Sequence, residues 1–263
     1  MRLKLGPGLI TGAADDDPSG IATYSQAGAA YGFGQLWTII LCLPLMIAVQ
    51  EACARIGSAT SQGLVKVTSR VYPKVILYLV VALIVIANVI NIGADFAAVG
   101  ASINLLVPLP IPLLSTLFML IVLGLEIFIG YHTYAKFLKF LALSLLSYVI
   151  VAVIVTNNWG AVFKATFIPA LQWNSAYWYV IVAILGTTIS PYMFFWQTAE
   201  EVEETNYSNL HQTRRRSIRE IREDTTVGMS ISQLGSWFMI ITSAVVLHEN
   251  GVLTIGTAAD AAK

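Results

Sequence analysis

The stretch Ala14-Asp15-Asp16-Asp17-Pro18-Ser19-Gly20 lies inside an otherwise apolar run from about Gly6 to Phe33. A bilayer core takes about 20 apolar residues of helix, so the run as a whole reads as a membrane span. Three consecutive acids cannot face lipid in a regular helix, because one charge at the bilayer centre costs about 2.5–3.5 kcal/mol even on the lenient scale. Pro18 removes a helical hydrogen bond and clashes with the preceding turn. The span must therefore break here, and bare backbone at membrane depth is tolerated only where it lines a cavity. A second run, from Tyr177 to Thr198, is interrupted by Gly186-Thr187-Thr188-Ile189-Ser190-Pro191.

Between and beyond these runs lie five more apolar stretches: Leu36 to Ile56, Val75 to Leu106, Pro112 to Gly130, Phe137 to Val155 and Gly228 to Leu247. The expectation is an all-α polytopic membrane protein with about seven transmembrane helices, the first and sixth broken. Breaks at corresponding positions of two halves point to a five-plus-five inverted repeat of the LeuT-like kind, with a site at the bilayer midplane. On that reading residues 1–263 form one transmembrane domain. The first repeat covers about 6–157, the second begins at about 177–248, and a polar cytoplasmic loop covers about 200–225.

Composition agrees. Of 263 residues, 57% are hydrophobic and 11% charged, against roughly 25% charged in a soluble domain. Mean hydropathy is +0.73. Fifteen Lys and Arg balance fifteen Asp and Glu, which leaves no footprint for nucleic acid. Cys42 and Cys53 would sit about 16 Å apart along one helix, too far for a disulfide. No cleavable signal is evident in Met-Arg-Leu-Lys, which runs straight into the first span.

Loop charges orient the spans. Arg55, Lys66, Arg70 and Lys74 surround the second loop, Lys136 and Lys139 follow the fourth span, and Arg214, Arg215, Arg216, Arg219 and Arg222 lie between the sixth and seventh. Lys164 is the exception among the other loops. Positive residues favour the cytoplasm, so the N-terminus is expected inside, in a cytoplasmic (inner) membrane. From Glu200 to Asp224 the chain is polar and reads as a solvated helical loop whose opposite charges pair locally. Glu51 and Arg55, one turn apart, read as a structural ion pair. Glu126 has no obvious partner.

Carbonyls at the C-terminal ends of the two leading half-helices, with a carboxylate, suit a cation. Asp17 lies at the break and is the expected ligand; Asp15 and Asp16 line the way in or pair with polar groups on neighbouring spans. In the third span Asn88, Asn91 and Asp95 share one face at spacings of three and four. They are expected to form a proton or polar pathway, although an Asn in a membrane helix also serves as interhelical glue.

These residues resemble the Nramp family of divalent metal transporters. Gly6-Pro7-Gly8, Asp17-Pro18-Ser19-Gly20, Ala22-Thr23 and Gln26-Ala27-Gly28-Ala29 match the family's G-P-G, D-P-G-N, A-T and Q-A-G-A. Ser190-Pro191-Tyr192-Met193 aligns with its M-P-H-N, and Asp95 falls where the family carries an acid associated with proton movement. The tail Thr257-Ala258-Ala259-Asp260-Ala261-Ala262 looks like a related branch that includes magnesium transporters. The resemblance implies a secondary transporter that moves a divalent metal cation by alternating access, with the ion as substrate and no cofactor.

It also implies a metal site made by Asp17, the Ala14 and Thr187 carbonyls and Ser190, with Gly20 offering space where the family has an Asn ligand. Pro18 and Pro191 are the helix breaks. Oxygen in place of the family's thioether favours hard ions such as Mg²⁺ or Mn²⁺, unless a shifted break brings in Met193. Tyr192 and Gln197 stand where the family has histidines, so proton coupling is expected to be weak or absent. Because the family fold has ten helices, further C-terminal helices of the same protein are expected as partners, beside lipid and metal ion. Other readings are an organic-substrate transporter of the amino-acid type on the same fold, a non-functional truncated fragment, and an intramembrane aspartyl protease using Asp17 and Asp95.

Overall fold

A computed structural model describes residues 6–129, 133, 142–210 and 216–255. Met-Arg-Leu-Lys at the start, the first part of the fifth span, Lys136, Lys139, Arg214, Arg215 and the tail from Thr257 to Ala262 lie outside the described residues. The described elements are helical. The first span is two helices, α1 (Pro7–Asp15) and α2 (Pro18–Tyr31). A 3₁₀ turn, Gly32–Gln35, leads into α3 (Trp37–Thr60), followed by the short α4 (Leu64–Thr68), α5 (Lys74–Asn104) and α6 (Ile111–Phe128). Then come α7 (Leu146–Val155), α8 (Trp159–Phe167), α9 (Ser175–Thr188), α10 (Pro191–Leu210) and α11 (Ile218–Ser243).

Five helical stretches among the described residues are long and apolar enough to cross a membrane: α3, α5, α6, the α9–α10 pair and α11 with its continuation to His248. The first span is not among them because its halves have 9 and 14 residues, each too short alone. Both breaks fall where the prolines require. Pro18 opens α2, with Asp17 as its N-cap, and Pro191 opens α10. Proline is suited to the first helical turn, where its missing N–H would be unsatisfied anyway.

The broken first span packs on α11, and glycines set how closely. A Cβ on Gly12 would strike the carbonyl oxygen of Gly228, and one on Gly228 would strike that of Gly8. Backbone cannot yield as a flexible side chain can. Gly228→Ala is therefore expected to destabilise the protein by about 1–3 kcal/mol, the range for overpacking, read as a lowered thermal midpoint in detergent. Gly124, with open space around its Cβ position, serves as the control, and Gly124→Ala should leave the midpoint within the scatter of wild type.

The core lies around α2, α3, α9 and α11, where Tyr24, Cys42, Ile184, Met239 and Ile240 are fully buried. Cys42 and Cys53 are both buried free thiols, as expected. Helices α5 and α6 expose Leu79, Leu83, Ile86, Ile121 and Phe128, the composition of a lipid-facing surface.

The polar segment after the sixth span departs from expectation. It is helical, since α10 runs to Leu210 and α11 starts at Ile218, but it is not solvated throughout. Glu200, Glu201 and Asp224 are buried. Arg216 joins Glu201 at 2.9 Å and Asp224 at 2.8 Å, and Asp224 accepts from the amides of Gly6 and Gly8 at 2.7 and 2.8 Å. The physical reason is that α1 begins with unpaired N–H groups, and an acid held at that end satisfies them. Glu51 pairs with Arg55, as expected, and also with Arg222 at 2.8 Å.

Candidate functional site

The site is built where α1 and α9 end and α2 and α10 begin. Asp17, in extended backbone conformation, caps α2. Its Oδ1 accepts from the Gly20 amide at 2.8 Å and the Ser19 hydroxyl at 2.6 Å. Its Oδ2 accepts from Asn91 Nδ2 at 3.2 Å and from the Tyr192 hydroxyl at 2.8 Å. Four donors from three parts of the fold thus converge on one carboxylate. Asn91 also donates to Asp95 Oδ2 at 3.2 Å, so a polar chain runs from the break onto α5. Asn88, one turn earlier and half-buried, is not part of that hydrogen-bonded chain.

At the second break Ser190 Oγ donates to the carbonyls of Thr187, at 2.7 Å, and Gly186, at 3.1 Å. Its proton is turned toward its own helix end, leaving its lone pairs for another partner. The two breaks meet: Ser19 Oγ lies 3.5 Å from Thr187 Oγ1, and Tyr24 hydroxyl lies 2.8 Å from Thr188 Oγ1. Ala14 sits on the last turn of α1, where the final carbonyls lack helical partners.

Gly20 differs from the expectation of open space. A Cβ there would come within 3.2 Å of the Asp15 carbonyl oxygen and 3.4 Å of the Tyr24 ring. Its contribution is the amide that caps Asp17. Gln197, fully buried, meets Thr11 side chain to side chain. Met193 is buried, and with Pro191 opening α10 the break is not shifted onto it. Tyr192 was absent from the expected ligands, although its position directly after the break was the signal that could have found it. Among the described residues no three His, Cys, Asp or Glu side chains gather as a metal cluster, so an ion here would draw on hydroxyls, backbone carbonyls and water beside a carboxylate.

Two broken helices meeting at a carboxylate, inside a bundle of helices long and apolar enough to cross a membrane, define an integral membrane protein of the LeuT-like class. The Nramp family (natural resistance-associated macrophage protein-like) matches residues 8–263, and the chain belongs to it. It is 26% identical over 264 residues to a divalent metal cation transporter MntH of Chromohalobacter salexigens, covering 97% of this chain and 59% of that relative. It is 25% identical over 255 residues to the protein of the same name from Caldanaerobacter subterraneus, covering 95% and 59%. The chain therefore spans a little over half the length of these curated relatives. The crystal structure of the Eremococcus coleocola manganese transporter, in complex with an aromatic bis-isothiourea substituted compound, superposes with a TM-score of 0.68 at 19% identity, over 93% of this chain and 51% of that one. That likeness bears on the fold.

Proposed function

We propose that this chain is part of a secondary transporter that moves a divalent metal cation, Mg²⁺ or Mn²⁺, across the cytoplasmic membrane by alternating access. The N-terminus is on the cytoplasmic side, and further helices of the same protein complete the pathway. The observation that carries the reading is the Asp17 carboxylate at the meeting of two helix breaks, engaged by the Ser19 and Tyr192 hydroxyls and by the Gly20 and Asn91 N–H groups. The names of the relatives support the cargo class. Asp17 is the principal ligand, joined by the Ala14 and Thr187 carbonyls and Ser190 Oγ. Gly20, Asn91 and Tyr192 hold the carboxylate in place, and Asp95 with Asn91 forms the hydrogen-bonded part of a polar pathway beside it, which Asn88 continues along the helix without joining that chain.

Isothermal titration of the purified protein with Mg²⁺, Mn²⁺ and amino acids tests this reading. Saturable heat is expected with the metals. Saturable heat with an amino acid and none with either metal would sink it.

Ion preference should depend on position 190. A hydroxyl is a hard ligand that a partly hydrated Mg²⁺ or Mn²⁺ accepts, whereas a thioether favours softer metals. In competitive uptake by the full-length protein, Ser190→Met is expected to raise the cadmium-to-magnesium ratio several-fold. An unchanged ratio at normal expression would mean that this side chain does not face the ion.

A further inference from the structure

Asp17 accounts for one of three consecutive acids. The other two turn away from it. Asp15 is fully buried at the end of α1, and neither of its carboxylate oxygens has a hydrogen bond. Asp16 is 7% exposed; its Oδ1 accepts from Ser236 Oγ at 2.9 Å and its Oδ2 has no partner. Ser232, fully buried one turn before Ser236 on α11, faces both carboxyls, yet its Oγ closes no hydrogen bond of ordinary length. Four oxygens without a hydrogen bond of ordinary length therefore lie between α1 and α11: both of Asp15, Oδ2 of Asp16 and Oγ of Ser232.

Buried polar groups in native structures are almost always paired, and buried charges are paired or coordinate metals. The charges that reach Asp15 and Asp16 belong to other aspartates. The Arg216 ion pairs lie at the other end of α1, beside Gly6 and Gly8. The end of α1 adds the negative pole of its dipole and carbonyls without helical partners. Apart from the Ser236 hydroxyl, which already serves Asp16, the groups of this cluster suit positive charge, and the donor set is all oxygen.

We propose that Asp15, Asp16 and Ser232 form a second cation site, distinct from Asp17, that takes a hard divalent ion of the Mg²⁺ or Mn²⁺ class. Two carboxylates balance two positive charges, and oxygen donors with a few waters are what such ions accept. The site is separate because Asp17 points the other way. Its oxygens are engaged by Ser19, Gly20, Asn91 of α5 and Tyr192 of α10, whereas Asp15 and Asp16 face α11. An ion held there ties the inner end of α1 to α11 by bridging their side chains.

The experiment counts bound Mn²⁺ on the purified protein by electron paramagnetic resonance, with Mg²⁺ and Na⁺ as competitors. Two ions per chain are expected for wild type, one for Asp17→Asn, and one for the double variant Asp15→Asn with Asp16→Asn. Ser232→Ala, which keeps both carboxylates and should fold even where the double variant does not, is expected to weaken one of the two ions about tenfold. A count of one that Asp15→Asn with Asp16→Asn leaves unchanged overturns the proposal. So does loss of all binding in Asp17→Asn, or two unchanged affinities in Ser232→Ala. Displacement of the second ion by Na⁺ but not by Mg²⁺ overturns the divalent assignment. A wild-type count of one that survives Asp17→Asn but not the double variant would support this site while sinking the assignment of Asp17, so the two readings fail separately.

Discussion

Asp17→Ala is expected to abolish metal uptake by the full-length protein, and Asp17→Asn to abolish it as well. The two variants separate function from folding. Asp17 is the N-cap of α2, accepting from the Gly20 amide, and replacing such a cap by alanine costs about 1 kcal/mol. A loss of transport in the alanine variant alone could reflect that local damage. Asparagine keeps a carbonyl oxygen for the cap and remains among the favoured capping residues. It removes the charge, and a neutral amide is a much poorer ligand for Mg²⁺ or Mn²⁺. Uptake into liposomes by the full-length protein should fall to background in both variants, with membrane insertion and thermal midpoint close to wild type for asparagine. Wild-type uptake by Asp17→Asn would remove the core of the site assignment.

The breaks were legible because Pro18 and Pro191 act locally. A missing N–H and a ring clash need no knowledge of what lies across the bundle. The stripe of Asn91 and Asp95 was legible for a similar reason, since helical spacing puts both on one face, and the structure carries that stripe to Asp17 through Asn91. The different fates of Asp15, Asp16 and Asp17 were only half legible. Helical geometry says that neighbours diverge, but not that α11 would present Ser232 and Ser236 to two of them. The burial of Arg216 was not legible either. Five arginines cluster in sequence, and their composition fits a solvated surface equally well. Only tertiary packing, with Gly6 and Gly8 brought against Asp224, selects Arg216 among the described arginines to be held between two acids.

That selection has a large expected consequence. Arg216→Ala should destabilise the protein by about 3–5 kcal/mol, the cost of removing one member of a buried ion pair. The side chain of Arg216 is 10% exposed and those of Glu201 and Asp224 are 1% exposed, so water cannot replace the lost guanidinium without opening the contact. Two carboxylates would be left facing each other beside the start of α1. Arg219 provides the contrast. It pairs with Glu223 at 2.7 Å, but its side chain is 75% exposed, and such surface pairs contribute about 0.5 kcal/mol or less. Thermal denaturation in detergent should therefore show a clear drop for Arg216→Ala and almost none for Arg219→Ala. The compensated triple variant Arg216→Met, Glu201→Gln and Asp224→Asn sharpens the argument. It removes all three charges, keeps one Asn oxygen for one of the Gly6 and Gly8 amides, which Asp224 now serves with separate oxygens, and should recover part of the lost stability, because a buried ion cluster replaced by neutral groups of similar volume is often tolerated. An Arg216→Ala protein that melts with wild type would mean that the start of α1 is held by packing on α11 alone.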